Sequence, residues 1–262
     1  MTDLTATDDL DCLLNNNVSM SNVLARASHD LLLSEKRIIM LAVSFFDSRR
    51  SPSSYSSIDS RTFSISVEDY FLISSSSPTS SVYSVLLAAS RSLFDRHISF
   101  DVPLMRGRSR HVRFRWLDSI SYVDGSGSVE ICFSQRVLPF LSGLTGSFIS
   151  YKISDSVSFR SVYSWRLYEY LLSYVDESVD FSNFVLDVDV LRSSLQVPDS
   201  YTFNNFRQRV LDSGVRDICM AVPWIVDYKL IKRSRRVIAI DFSVRFLQLP
   251  FIASSETDDD FV

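Results

Sequence analysis

The residues with the clearest chemical potential in this chain are amides and cations carried on two consecutive segments. Residues 203–220 read Phe-Asn-Asn-Phe-Arg-Gln-Arg-Val-Leu-Asp-Ser-Gly-Val-Arg-Asp-Ile-Cys-Met. Helical spacing turns Phe203, Phe206, Val210, Gly214 and Ile218 to one side and Asn205, Gln208, Arg209, Asp212 and Arg216 to the other, with Asn204 and Arg207 on the flanks. Asn and Gln match the adenine edge in a duplex major groove, and Arg matches guanine. The first turns of such a helix meet base edges, so Asn204, Asn205, Gln208 and Arg209 are the expected readers, with Arg207 and Arg216 nearer phosphates. An ordinary solvated helix face is the bland alternative. Downstream, Lys229 precedes Lys232-Arg-Ser-Arg-Arg236, where Lys232, Arg233, Arg235 and Arg236 crowd like charge into a hairpin tip. Such charges repel one another unless an anion neutralises them, and a phosphate backbone would do so. A solubilising turn is the competing reading.

A second basic stretch runs from Arg106 to Arg115. Arg106, Arg108 and Arg110 are expected in a loop, free to reach a minor groove or phosphates, whereas Arg113 and Arg115 alternate with Val112 and Phe114 on a strand. An edge strand guarded by charge would look the same. Ser81, Ser84 and Arg91, on an earlier helix, are weaker candidates for phosphate contact, because serines there also serve as caps and surface filler.

Catalytic chemistry finds little support. His29, His97 and His111 lack the His-x-His spacing that would hold a metal beside a nicking tyrosine. Six glycines include no Gly-x-x-x-x-Gly-Lys-Ser/Thr loop, so no nucleotide-phosphate cradle is expected, and no cofactor. Cys12, Cys132 and Cys219 are odd in number and scattered, which argues for neither a disulfide framework nor a zinc site. No apolar run spans a bilayer, and the first residues do not resemble a secretory signal, so a soluble cytoplasmic protein is expected.

These groups need a scaffold, and 262 residues with 46% hydrophobic content suffice for one large core or two modest ones. The net charge of -4 disfavours indiscriminate coating of nucleic acid, which depends on many cations releasing counterions. Acidic residues gather at both ends, however, leaving the interior basic stretches distinct. Helices are expected over 33–46, 67–73, 81–95, 135–144, 161–174, 188–195 and 203–220, and strands over 63–66 and 181–186. Residues 112–116 and 129–133 read as one hairpin around Asp124-Gly-Ser-Gly, and 224–246 as another. The order helix, strand, helix, helix, hairpin therefore occurs twice. It predicts an α+β protein of two tandem winged-helix domains related by pseudo-symmetry: a flexible arm over 1–20, domain 1 over 21–145, domain 2 over 146–253 and an acidic tail over 254–262.

Four segments carry a family resemblance: Leu33-Ser-Glu-Lys-Arg, Phe133-Ser-Gln-Arg-Val-Leu-Pro-Phe-Leu-Ser-Gly-Leu, Ser161-Val-Tyr-Ser-Trp-Arg-Leu-Tyr-Glu-Tyr-Leu and Phe206-Arg-Gln-Arg-Val-Leu. In order and spacing the chain resembles the theta-type, iteron-binding plasmid replication initiators, often called the RepB or Rep-3 family, over about Leu31 to Phe246. The resemblance implies binding of double-stranded DNA at directly repeated origin sites, origin opening and recruitment of a host replication helicase or its loader. It also implies a homodimer that represses its own gene, in equilibrium with a monomer that initiates. The family's second recognition helix is usually richer in Lys and Arg, whereas Gln208 stands here between Arg207 and Arg209, and Gly214 stands where alanine is usual.

Two other readings compete. A winged-helix transcriptional repressor without a replication role would bind a single inverted repeat and leave the duplex closed. A protein-interaction module that had lost DNA binding would be indifferent to loss of Arg209 or of the basic hairpin.

Overall fold

The computed structural model describes residues 12–74, 81–122, 125–176 and 178–247. Strand β1 (Asn17–Ser21), helix α1 (Asn22–Arg26) and the short strand β2 (Ser28–His29) lead into helix α2 (Leu33–Val43). The Glu35 carboxylate folds back to accept from the Leu32 amide at 2.7 Å and so fixes the first turn of α2. Strand β3 (Thr62–Ser66) and helices α3 (Val67–Ser74) and α4 (Ser81–Leu93) follow. Ser66 and Asp69 start α3 by exchanging side-chain-to-amide bonds, each 3.0 Å long. Five strands come next: β4 (His97–Pro103), β5 (Ser109–Arg115), β6 (Leu117–Tyr122), β7 (Ser128–Phe133) and β8 (Phe148–Lys152).

The second half contains α5 (Ile153–Ser156), α6 (Val162–Leu172), β9 (Phe181–Asp187) and α7 (Val188–Ser194). A long helix over 203–221 is assembled from α8 (Phe203–Phe206), a π-helical stretch (Arg207–Asp212) and α9 (Ser213–Ala221). Strands β10 (Trp224–Arg233) and β11 (Arg236–Phe246) close the described chain.

Two three-stranded antiparallel sheets repeat one topology. In the orders β6-β7-β3 and β10-β11-β9, the strand after the first helix lies beside the second strand of the hairpin. The series α2-β3-α3-α4-β6-β7 is thus matched by α6-β9-α7-(203–221)-β10-β11, which is the winged-helix duplication expected from sequence. Between α4 and β6, however, the first unit carries an inserted hairpin, β4–β5, which joins β2 in its own sheet.

This insertion corrects the expected pairing of 112–116 with 129–133. Residues 109–115 pair with 97–103, Trp116 is fully buried between the two sheets' strands, and 117–122 answers 128–133. The helix expected over 135–144 is a series of tight turns with one 3-10 turn at Leu138–Phe140, where Pro139 has no amide to donate. Nor is the whole of 1–20 an arm. Asn17–Ser21 pairs with β8, Asn17 opposite Lys152, and buries Val18 and Met20. Strand β8 itself lies beyond the expected boundary at 145. The proposed acidic tail over 254–262, residues 1–11 of the arm and Asp124 fall outside the described residues.

Buried apolar side chains of both units form one continuous core. A polar layer crosses it. Lys36 of α2 donates to both carboxylate oxygens of Glu169 of α6, at 2.9 and 2.7 Å. Tyr151 donates to the same carboxylate at 2.7 Å, and Trp165 donates to the Tyr151 hydroxyl at 2.8 Å. The buried guanidinium of Arg166 donates to the carbonyls of His29 at 2.9 Å, Ala27 at 3.0 Å and Ser194.

Candidate nucleic-acid interface

The 203–221 helix is set by what it packs on. A Cβ added at Gly214 would lie 2.8 Å from Leu167 Cδ2 and 3.7 Å from Ser164 Cα, so a bare Cα lets this helix settle against α6. Beside that crossing, Ser164 donates to Asp217 at 2.6 Å within the interface. Thr202 caps the helix, its hydroxyl accepting from the Asn205 amide at 3.2 Å.

The π-helical stretch changes what the helix presents. Its wider turn buries the adjacent residues Val210 and Leu211 and leaves Arg207, Gln208 and Arg209 as an unbroken exposed triplet. Such inserts are frequent at functional sites. Asn204 and Arg216 are also exposed, and Asn205 is half-buried. All six sequence-predicted residues of this helix therefore reach its solvent side to some degree.

Neighbours orient two of the arginines. The Arg209 guanidinium lies 5.4 Å from the Tyr201 ring centroid and donates weakly to its hydroxyl at 3.4 Å. Arg192 of α7 holds Tyr201 in turn, donating to its carbonyl at 2.7 Å. On the other flank, Arg207 approaches Asp212 at 3.6 Å, and Asp212 also accepts from the Tyr228 hydroxyl of β10. Sequence reasoning missed Tyr201, Arg192 and Tyr228. Only the position of Tyr201, just before the helix cap, gave a local signal.

The basic hairpin closes over Ser234 and Arg235, with Arg233 opposite Arg236 and Ser234 in the left-handed region at φ 57°. A bulge at Ile231/Lys232 re-aims the tip. Lys232, Arg233, Arg235 and Arg236 are all exposed, and Arg236 pairs with Asp189 of α7 at 2.6 Å. Val188, Asp189, Arg192, Phe203, Arg235 and Val237 are among the residues lining a groove of about 470 Å³. Hairpin tip and helix start thus border the same concavity. Lys229 does not join them. Strand side chains alternate, so Lys229 lies on the face opposite Tyr228 and sits across from Asp241 in register.

In the first unit the candidates fall into two separate places. Arg91 of α4 donates to the Tyr122 hydroxyl at 3.1 Å and stacks on that ring, beside the β6–β7 hairpin. Ser84 is exposed on α4, and the Ser81 side chain lies outside the described residues. Arg106, Arg108, Arg110 and Arg113 instead occupy the inserted β4–β5 hairpin, all exposed. Arg110 belongs to strand β5 rather than to a loop, and Arg113 lies 3.3 Å from His97 Nδ1. The 106–115 stretch is therefore not the counterpart of the basic wing. That counterpart is β6–β7, and residues 122–128 between its strands contain neither Lys nor Arg. Among the described residues no three His, Cys, Asp or Glu side chains converge as metal ligands, and no helix is long and apolar enough to cross a membrane.

The family description "Initiator Replication protein, WH1" matches residues 17–172, and "Initiator Rep protein, WH2" matches 187–244. The chain belongs to this replication-initiator family. A replication initiation protein of Escherichia coli is 28% identical over 204 residues, covering 77% of this chain but only 61% of that longer relative. An uncharacterised 27.6 kDa protein of Escherichia coli is 26% identical over 235 residues, 84% of this chain and 93% of its own length. The crystal structure of the Pi initiator protein in complex with iteron DNA shares the fold, with a TM-score of 0.72 at 20% identity over 90% of this chain and 99% of that one. The WH1 match accordingly spans β1 to the end of α6, the helix that opens the second winged-helix series, while the WH2 match holds the 203–221 helix and the basic wing.

Proposed function

We propose that this initiator binds repeated double-stranded DNA sites at a plasmid origin and starts replication there without catalysis of its own. WH2 carries the recognition: Asn204, Asn205, Gln208 and Arg209 meet base edges while Arg207, Arg216 and the Lys232–Arg236 wing meet phosphates. The observation that carries this reading is the exposed Arg207-Gln208-Arg209 triplet on the helix whose first residue, Phe203, borders the same groove as the basic wing tip, in a protein of net charge -4. The name of the Escherichia coli relative and the iteron DNA bound by the Pi initiator support it. Opening of the origin, recruitment of a host helicase or loader, a monomer–dimer equilibrium and repression of its own gene complete the proposal, all in a bacterial cytoplasm.

Selection of duplexes from a random pool, repeated at two salt concentrations, tests it. One enriched motif, present in tandem at the parent origin, is the expected result. Recovery of sequences in proportion to their starting abundance at both salts would remove the DNA reading. An enriched single inverted repeat with no strand opening would leave a repressor instead.

A further inference from the structure

The groove beside the basic wing is not shaped by phosphate chemistry alone. Arg192, Arg235 and Arg236 line it together with Val188, Phe203 and Val237. Phosphates ask only for the cations. Val188 is buried, but Phe203 and Val237 stay half-open to solvent on the wall of the groove. Among the wing cations Arg236 is paired with Asp189, whereas Lys232, Arg233 and Arg235 have no carboxylate partner among the described residues. The concavity thus offers positive charge and apolar surface side by side, which suits an acidic segment that also carries an aromatic ring.

The chain supplies such a segment. Residues 256–262 read Glu-Thr-Asp-Asp-Asp-Phe-Val, four carboxylates followed at once by Phe261 and Val262, and residues 246–262 contain no Lys or Arg. Leu247, whose amide donates to the Pro223 carbonyl at 2.8 Å, fixes the start of this stretch at the root of the β10–β11 hairpin. From that root to Arg236 at the tip, β11 spans roughly 35 Å. Glu256 to Phe261 stand nine to fourteen positions past Leu247, so an extended chain carries them about 30 to 46 Å. That range brackets the distance to the groove.

Other exposed cations compete less well for the segment. Lys152 already donates to Asn15 Oδ1 at 3.1 Å, and Arg136 and Arg160 stand alone in their stretches of sequence. Arg106, Arg108 and Arg110 follow Met105 at a projecting hairpin tip rather than enclosing a groove.

We propose that residues 256–262 occupy the groove of their own WH2 unit, carboxylates on Arg192, Arg235 and the neighbouring wing cations and Phe261 against Phe203 and Val237, so that a duplex must displace them to bind. The inference rests on the DNA-binding reading of WH2. Tethering holds such a segment at an effective concentration in the millimolar range, enough for contacts too weak to persist between separate molecules. Because one groove serves both ligands, occupancy lowers affinity for every duplex by the same factor and leaves base preference alone. A groove filled about nine-tenths of the time weakens binding about tenfold.

The test uses the full chain and the duplex it selects. Replacing Glu256 by Gln and Asp258, Asp259 and Asp260 by Asn should tighten binding about tenfold at low salt, with the same bases preferred. The gain should shrink as salt rises, because salt also screens the segment from the arginines, so the slope of log K against log salt is steeper in the variant than in wild type. Phe261→Ser keeps all four carboxylates and should still tighten binding several-fold. Added to the neutralised variant at about 1 mM, a peptide of residues 254–262 should weaken DNA binding again, and the same peptide carrying Phe261→Ser should do so less. Equal affinity and slope in wild type and neutralised variant overturn the proposal. A gain on neutralisation that Phe261→Ser does not share overturns it too, leaving plain repulsion between carboxylates and phosphates. A gain that grows with protein concentration puts the segment in a second copy's groove and refutes the tether. If both chains bind one motif alike, the failure is confined to the acidic segment; if neither binds any duplex, the WH2 reading falls as well.

Discussion

Replacing Lys36 by Met should destabilise the protein far more than an ordinary ion-pair deletion. Lys36 and Glu169 are essentially inaccessible, and the ammonium meets both carboxylate oxygens at 2.9 and 2.7 Å. Burial pulls the Lys36 ammonium below its ordinary range, an effect that Glu169 only partly offsets. Without Lys36, the Glu169 carboxylate keeps the Tyr151 hydroxyl and the more distant field of Arg166 but loses its ion-pair partner, and breaking a buried pair costs about 3–5 kcal/mol. Set against a total stability of about 5–15 kcal/mol, the loss is severe. Exposed pairs such as Arg49–Asp47 provide the contrast, because solvent screens them. Urea unfolding followed by Trp fluorescence and by circular dichroism measures the difference, with Glu169→Leu and the double variant completing a cycle. The double variant should recover much of the loss, because replacing both partners by apolar groups removes the charge that was stranded. A cost below about 1 kcal/mol for Lys36→Met would mean that water reaches the pair and would refute the argument. Because Lys36 belongs to α2 and Glu169 to α6, a large cost would also show that the first helices of the two winged-helix series depend on each other.

His29 is buried against Trp116, its Nδ1 has no partner, and burial together with Arg166 and Lys36 holds its pKa well below the ordinary value. The unfolded chain therefore binds a proton that the fold rejects, so stability falls as pH drops below about 6.5, by up to about 1.4 kcal/mol per pH unit. His29→Gln should show a shallower slope between about pH 6.5 and 5; parallel slopes in urea titrations would discard this assignment. Gly214→Val should cost about 1–3 kcal/mol by overpacking against Leu167 and Ser164, and a melting temperature at or above wild type would contradict the close crossing. Arg209→Ala should lose about 1–3 kcal/mol of discrimination at one base position, whereas Arg235→Ala should weaken all sequences alike and lower the salt slope by about 0.9. Equal losses across every sequence for Arg209→Ala would reassign it to a phosphate.

Local pattern revealed the helices and the basic wing, since each follows from near-neighbour spacing. Val162–Leu172, Phe203 onward and Trp224–Phe246 have strong period or clear turn chemistry. What escaped depends on distant partners. His97–Pro103 mixes polar and apolar residues and becomes a strand by lying between β2 and β5, while Leu117–Tyr122 acquires its role only by pairing with β7. Two plausible strands of the right type were therefore joined to each other rather than to their true neighbours. Asn17–Ser21 is too short to announce itself without β8, 131 residues away at the Ser19–Ser150 contact. The π-helical turn also has no composition of its own, and it decides that Arg207, Gln208 and Arg209 share one exposed surface.

The acidic balance of the chain fits a DNA-binding role once its geography is considered. WH2 turns Asp227 and Asp241 to the sheet face opposite the one that packs under the 203–221 helix, while Arg192 of α7 and Arg235 and Arg236 of the wing line the groove. A duplex approaching the groove meets opposite charge, whereas on the sheet face Asp227 and Asp241 are mixed with Lys229 and Arg245. Such a field selects orientation before contact. Fewer cations overall also weaken the sequence-independent part of binding, which grows with each phosphate neutralised. Because the base-edge contacts proposed for Asn204, Gln208 and Arg209 do not depend on net charge, the same acidity that lowers total affinity would raise the share of it that reads sequence.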